Sequence, residues 1–314
     1  MDSSRWKGSI GEELRKTFLA RQPGLPQDEP MFDIKYIYTG NFTGFFKTYR
    51  NIVIVTSFED KSADGEKLKS LFTKELLNKI NNNEELFMLS KKDIYAQDQK
   101  VVHLFSKTDK ELVRKIKANS KKLQRIFHDV ERIRTIKKIF RSNERKELGK
   151  KLAKQHKFQI RIPYRYKLAK NRDNFVWLRY PKQAVDRNIF ITWEPYTNEE
   201  AFKPEQVVLW RDSICKTHIY GSDDSGSFML TESLVPVYTE KVNFKKKYAL
   251  ESRGLWKLNN LSMGGPFISY TFVDEKLNRI YYIEGFVYAP AFDKREYVRE
   301  LEAVLWTFRI SRPR

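Results

Sequence analysis

The chain has 314 residues, 60 of them Lys or Arg against 40 Asp or Glu, for a formal net charge of +20; 40% of residues are hydrophobic and 14% aromatic. That length and apolar share exclude a disordered chain, and no run approaches the ~20 apolar residues of a membrane-spanning helix. The single cysteine, Cys215, excludes an intrachain disulfide and a cysteine-rich metal site.

Ile10, Leu14, Phe18 and Leu19 recur at helical spacing, and Ser9 with Glu12 three residues on forms a capping box, so residues 6–20 are predicted helical. The Pro-rich stretch 22–30 is a connection. Residues 32–38 alternate as a short strand, and 50–58 read as a buried strand. A helix is expected over 66–80, carrying Leu68, Leu71, Phe72, Leu76, Leu77 and Ile80, and residues 93–105 supply one or two strands.

The most basic segment follows, at about 108–157. Leu112, Ile116, Leu123, Ile126, Val130, Ile133 and Phe140 follow spacings of three and four, which predicts one long amphipathic helix, with breaks near Ser142 or at Gly149. Arg114, Lys117, Lys121, Lys122, Arg125, Arg132, Arg134, Lys137, Lys138 and Arg141 lie on its polar face. Such a stripe attracts phosphate or anionic headgroups, although a solvated helix face gives the same pattern.

Strands are expected over 158–166, 175–180 and 187–196, and Pro204 is placed as the first residue of a helix reaching His218. Residues 221–227, from Gly221 to Ser227, form a polar loop whose two Asp lack calcium-loop spacing. One or two strands follow over 237–258. Residues 267–273 and 279–288 are β-branched and aromatic around the polar run 274–278, which predicts a hairpin, and Gly264-Gly265-Pro266 suits a turn or bulge feeding it. Apolar side chains on both faces place this hairpin inside a sheet with helices on at least one face. Asp293 is placed as the N-cap of a helix over 294–308 whose stripe is Tyr297, Val298, Leu301, Val304, Leu305 and Phe308.

RNIVIVT at 50–56 echoes RNIFITW at 187–193, with NRIYYIE at 278–284 a looser copy. Duplication of an α+β unit and chance similarity of β-branched runs both account for this. The predicted fold class is α+β: largely antiparallel sheet with helices packed on it. An N-terminal half over 1–106, the basic helix over 107–157 and a C-terminal half over 158–314 are read as one compact unit.

Candidate chemistry is sparse. His103, His128, His156 and His218 never fall in a metal-ligand spacing, and no phosphate loop, dinucleotide fingerprint or serine elbow is present, so no metal or cofactor is expected. Cys215 lies in a predicted helix with nothing beside it to lower its pKa. Glu284 and Glu194 interrupt apolar strands. A buried carboxylate there serves as a general acid or pairs with an arginine, for which Arg50, Arg187, Arg253 and Arg279 are available.

SRWKGSIGEELR, PGLPQDEPMFDI, RNIVIV, SRGLWKL, MGGPFISYTFVDE, IEGFVYAP and KREYVRELEAVL together resemble domain-of-unknown-function family 4837 of the Bacteroidota, over nearly the whole chain. The resemblance implies envelope lipoproteins with a signal peptide and a lipid-modified cysteine upstream of the domain, and no assigned activity. Arg253, Trp256, Gly264, Gly265, Glu284 and Gly285 match its most distinctive motifs. The sequence starts at Met1 without a lipobox or an apolar leader, so the expected location is the envelope if the native chain extends upstream and the cytoplasm otherwise. Three functions remain open: a non-catalytic envelope protein with a structural or binding role; a binder of anionic polymer, nucleic acid or membrane surface through Lys121, Lys122, Arg125 and Arg132; and a hydrolase using Glu284 or Glu194. Envelope components or an anionic surface are the expected partners, ahead of nucleic acid.

Overall fold

Gly8 divides the first predicted helix. In the computed structural model, which describes residues 1–182, 184–220 and 226–311, two helices, α1 (Ser3–Lys7) and α2 (Ser9–Phe18), flank it. Ser9 therefore begins α2 from inside rather than capping it. Of the loop expected over 221–227, residues 221–225 lie outside the described residues.

The elements that follow are β1 (Asn51–Ser57), α3 (Ala63–Lys69), α4 (Lys74–Asn82), β2 (Met88–Lys92), β3 (Lys100–Ser106), α5 (Asp109–Ala118) and α6 (Ser120–Ile139). The predicted helix over 66–80 is two helices, because Thr73 restarts the turn by accepting the Leu76 N–H at 3.3 Å. The strand expected over 32–38 does not form; its Phe32 and Ile34 pack individually onto the core. Residues Met1–Arg21 and Pro30–Arg134 make up one unit. Its sheet runs β1-β3-β2, with β1 parallel to β3 and β2 antiparallel. Parallel neighbours need a crossover, and α3, α4 and β2 supply it. Leu14, Phe18, Val102, Leu104, Leu112, Ile116, Leu123 and Phe127 fill one core.

The second unit comprises Gln22–Glu29 and Thr135–Arg314. Its elements are α7 (Lys146–His156), β4 (Phe158–Gln159), β5 (Lys167–Arg172), β6 (Phe175–Tyr180), β7 (Asp186–Pro195), α8 (Pro204–His218), β8 (Met229–Thr231), β9 (Tyr238–Phe244), β10 (Lys247–Leu258), β11 (Gly264–Asp274), β12 (Arg279–Tyr288), α9 (Arg295–Leu305) and β13 (Arg309–Ile310). Among the described residues an eight-stranded antiparallel sheet runs β5-β6-β7-β12-β11-β10-β8, with β9 beside β10. The fold class is thus α+β with a largely antiparallel sheet. The hairpin β11–β12 sits at its centre, and both faces are covered as its two-sided apolarity requires. Ile268, Tyr270, Phe272, Tyr281 and Ile283 face α9, which contributes Val298, Leu301, Val304 and Leu305. Phe267, Tyr282 and Phe286 share the other core with Val207, Ile214 and Cys215 of α8.

Three expectations are corrected here. The basic segment is not one helix: besides the break expected near Ser142, which falls between Ile139 and Lys146, it stops at Asn119 between α5 and α6, while α7 runs through Gly149, and the boundary between the units falls inside the segment, at Arg134. The Gly264-Gly265-Pro266 run is not a turn, since β11 begins at Gly264 and pairs with β10 from there. The strand echo is not a duplication: β1 is the edge of a three-stranded sheet with a parallel neighbour, whereas β7 lies between antiparallel β6 and β12.

Candidate functional site

Glu284 sits mid-strand in β12, opposite Ser269 of β11 and Phe190 of β7, so its side chain points at α8. A carboxylate there must find a partner or lose its charge. It meets Arg211, one turn ahead of Cys215 on the same helix. Arg211 Nε donates to Glu284 Oε2 at 2.8 Å and Nη2 to Oε1 at 2.9 Å, a two-pronged pair, while the Tyr282 hydroxyl donates to Oε2 at 2.6 Å. Arg211 Nη1 goes on to Thr231 Oγ1 at 3.0 Å, and its guanidinium lies 4.1 Å from the Phe267 ring centre. Asp212 accepts the backbone N–H and the hydroxyl of Thr231, which fixes the acceptor that Arg211 uses.

Glu284 is 0% exposed and Arg211 1%. Burial pushes the Glu284 carboxyl up against the opposing pull of Arg211. Burial also works against the charge on Arg211, but the Glu284 carboxylate outweighs it and holds the guanidinium protonated. The arrangement is an ion pair sealed between sheet and helix, with each partner's bonding capacity met from inside. Of the arginines expected to serve Glu284 or Glu194, three are engaged elsewhere, Arg253 with Glu251 and Glu302, Arg187 with Glu300 at 3.1 Å, and Arg279 with the His156 carbonyl at 3.0 Å, and Arg50 belongs to the first unit. Sequence reasoning missed Arg211, although a signal was there. It occupies the apolar stripe of α8 with Val207, Ile214 and Cys215, a place where a charge requires a buried partner.

Arg253 lies on the opposite face. Its Nε donates to Glu251 at 2.6 Å and its Nη2 to Glu302 of α9 at 2.9 Å. Gly24, at φ +75°, presses the segment Gln22–Glu29 onto it, so close that a Cβ would lie 2.7 Å from Arg253 Cβ. The same segment ends with the Glu29 carboxylate accepting the N–H groups of Lys294 at 2.7 Å and Arg295 at 2.8 Å. A carboxylate from a distant segment, not Asp293, thus occupies the positive end of α9. The family-motif residues therefore divide. Arg253 and Gly285 face α9, where a Cβ on Gly285 would fall 2.7 Å from that of Leu301. Trp256 and Glu284 face α8, and the Trp256 indole donates to the Val287 carbonyl at 3.3 Å. Gly265 passes that same carbonyl, which a Cβ would approach to 2.1 Å, and Gly264 lies at the start of β11 against the Trp256 carbonyl. They build the sheet and do not converge on a common cleft.

Glu194 is exposed and accepts the Trp210 indole N–H at 2.8 Å. The Cys215 thiol is buried, and burial pushes its pKa up. The histidines go to separate places: His103 beside Thr56 Oγ1 at 2.8 Å, His128 against Phe32, His156 on Asn171 Oδ1 at 2.7 Å, and His218 stacked 4.0 Å from Phe175. Among the described residues no group of His, Cys, Asp and Glu is arranged to hold a metal ion.

The basic face divides as well. Lys121, Lys122 and Arg125 are exposed on α6, opposite the buried Leu123 and Phe127. Arg132 is half-buried and paired with Asp129 at 2.5 Å. Arg134, read as part of the stripe, turns inward: it bonds Asn51 Oδ1 at 2.8 Å, the Arg50 carbonyl at 2.9 Å and the Asp98 carbonyl. It is a brace for the start of β1, not a surface charge.

The sequence profile of the family described as a domain of unknown function (DUF4837) matches residues 145–307. The chain belongs to this family. The DUF4837 match takes in α7 to α9, with Arg211 and all six family-motif residues. A second profile, also described as a domain of unknown function (DUF8532), matches residues 1–140. The motifs SRWKGSIGEELR, PGLPQDEPMFDI and RNIVIV thus fall under that profile, and the DUF4837 resemblance covers the C-terminal part instead of nearly the whole chain. No curated protein matches. Among solved structures, the Saccharomyces cerevisiae Ran-binding protein Mog1p is similar at a TM-score of 0.33 and 6% identity, over 49% of this chain and 90% of that one. A mutant form of protein Mog1 gives 0.31 and 6%, over 49% and 91%. At these TM-scores the likeness fixes neither partner nor activity.

Proposed function

We propose that the protein is a non-catalytic binding protein of the cell envelope. The observation that carries the non-catalytic part is the Arg211–Glu284 pair: the carboxylate best suited by position to act as a buried general acid accepts three internal hydrogen bonds and has no solvent contact. Glu194, the other candidate, is solvated and bound to an indole. A general acid has to reach the proton it transfers, and Glu284 does not meet a substrate from where it stands. The envelope part rests on the lipoprotein character that the family resemblance implies. Incubation of the purified chain with envelope fragments and with cytosol tests the reading. Sedimentation with the envelope fragments, equal for wild type and Glu194→Gln, is the expected result; recovery in the supernatant contradicts it.

A second reading has its own observation. The exposed row of Lys121, Lys122 and Arg125 on α6 supports contact with an anionic surface or polymer. Elution from a phosphate-bearing resin then shifts to lower salt on reversing those three charges. Unchanged elution removes this reading.

A further inference from the structure

We propose that the first unit carries a membrane-interface site built from the aromatic turn at residues 42–49 and the facing loop at 93–99. Phe45 is 71% exposed, the most exposed aromatic side chain of its unit. Beside it stand Phe46 and Tyr49, with ring centres 5.4–5.9 Å apart, and Phe42 packs edge-on to Tyr95 at 5.6 Å. Ile94, 42% exposed, adds an aliphatic side chain next to Tyr95.

This display is constructed. The buried amide of Gln99 donates to the carbonyls of Lys47 at 2.6 Å and Tyr49 at 2.8 Å, and its Oε1 accepts the Tyr95 N–H at 3.1 Å, tying turn and loop together. Thr48 Oγ1 closes the turn on the Phe45 carbonyl at 2.7 Å. Gly44 takes φ +43° with open space around it, which lets the turn reverse at its tip. Rings held at a surface by a buried amide have not simply failed to find a core.

Charge selects the occupant. Residues 34–58 contain no Asp or Glu. Lys35 lies over Phe46 at 5.7 Å and Lys47 over Tyr95 at 5.5 Å, so ammonium groups stand at the level of the rings. The facing loop carries Asp93, engaged by the Gln99 N–H at 2.9 Å, and the exposed Asp98; the exposed Lys91 and Lys92 just before the loop offset them. Aromatic rings with adjacent lysines match the depth profile of an anionic bilayer, where rings enter the headgroup boundary and ammonium groups meet phosphates. Single-stranded nucleic acid fits less well. The rings contact one another edge to face, whereas base stacking needs free ring faces, and Ile94 offers a base nothing. The site does not use Lys121, Lys122 or Arg125, and it holds in whichever compartment the chain resides.

The test uses the full chain with vesicles of phosphatidylcholine alone, vesicles of phosphatidylcholine and phosphatidylglycerol at about three to one, and a thymidine oligonucleotide. Wild type is expected to float with the anionic vesicles, Phe45→Ala to partition about tenfold less well, and Lys47→Gln about fivefold less well. Because Cys215 is buried, Phe45→Cys takes an environment-sensitive fluorophore selectively, and its emission is expected to rise and shift to the blue on binding. Folded wild type that does not float overturns the proposal. So does flotation that ignores Phe45→Ala with the probe still in water, which moves binding elsewhere on the chain. Phe45-dependent binding to the oligonucleotide without flotation overturns it in favour of nucleic acid.

Discussion

Replacing Glu284 by leucine leaves the Arg211 guanidinium in a core from which water is excluded. The carboxylate accepts two charge-assisted hydrogen bonds from Arg211, at 2.8 and 2.9 Å, and one from the Tyr282 hydroxyl at 2.6 Å. Bonds to charged groups are worth ~1.5–3 kcal/mol each, and breaking a buried pair from one side costs ~3–5 kcal/mol; about 4 kcal/mol is expected. Arg211→Met strands the carboxylate at similar cost. The double variant removes both charges and costs much less than the sum, with a coupling of at least ~2 kcal/mol. A chain of two units need not unfold in one step, so native-state hydrogen exchange of β12 amides, read by mass spectrometry, is the appropriate assay. Single variants that each cost under ~1 kcal/mol, or costs that add, would refute the reasoning, because the pair would then be solvated and Glu284 accessible after all.

Other outcomes follow from the same geometry. His103 has its pKa lowered to about 4, chiefly by burial. A depressed folded-state value means the unfolded chain takes up the proton first. His103 therefore contributes stability above pH ~6.5 that is lost as the pH falls toward 4, roughly 3 kcal/mol in all, and urea midpoints of the first unit should flatten across that window in His103→Gln. Gly285→Ala forces Cβ to within 2.7 Å of Leu301 Cβ and should cost ~1–3 kcal/mol by separating β12 from α9; thermal unfolding unchanged from wild type contradicts this. Glu29→Ala removes the acceptor of the Lys294 and Arg295 N–H groups at the start of α9 and should cost ~1 kcal/mol, seen as faster exchange at those two residues. Joint reversal of Lys121, Lys122 and Arg125 should move stability by less than ~0.5 kcal/mol, whereas Arg134→Ala, which unties β1, should destabilise the first unit measurably in urea.

Much of the second unit was legible because its signals are local. Two-sided apolarity fixed β11 and β12, Pro204 marked the start of α8, and the stripe from Val298 to Leu305 gave α9. What escaped depends on distant partners. The Glu29 cap on α9 comes from far along the chain, and Gly264-Gly265, a turn signal by composition, is needed for the close passage of β11 past Trp256 and Val287. Periodicity also cannot see a helix stop that leaves the spacing nearly in phase, as at Asn119, where α5 ends and α6 begins within two residues. Family-motif residues were identified as a set, but their division between two faces was not readable, because strand alternation assigns faces only once the register is known.

The most direct test of the proposed envelope role is made on the native protein in its own cell: fractionation, followed by mass spectrometry of the mature N-terminus. The account predicts recovery with the membranes and a lipid-modified cysteine upstream of Met1. An unmodified Met1 in the soluble fraction would contradict it.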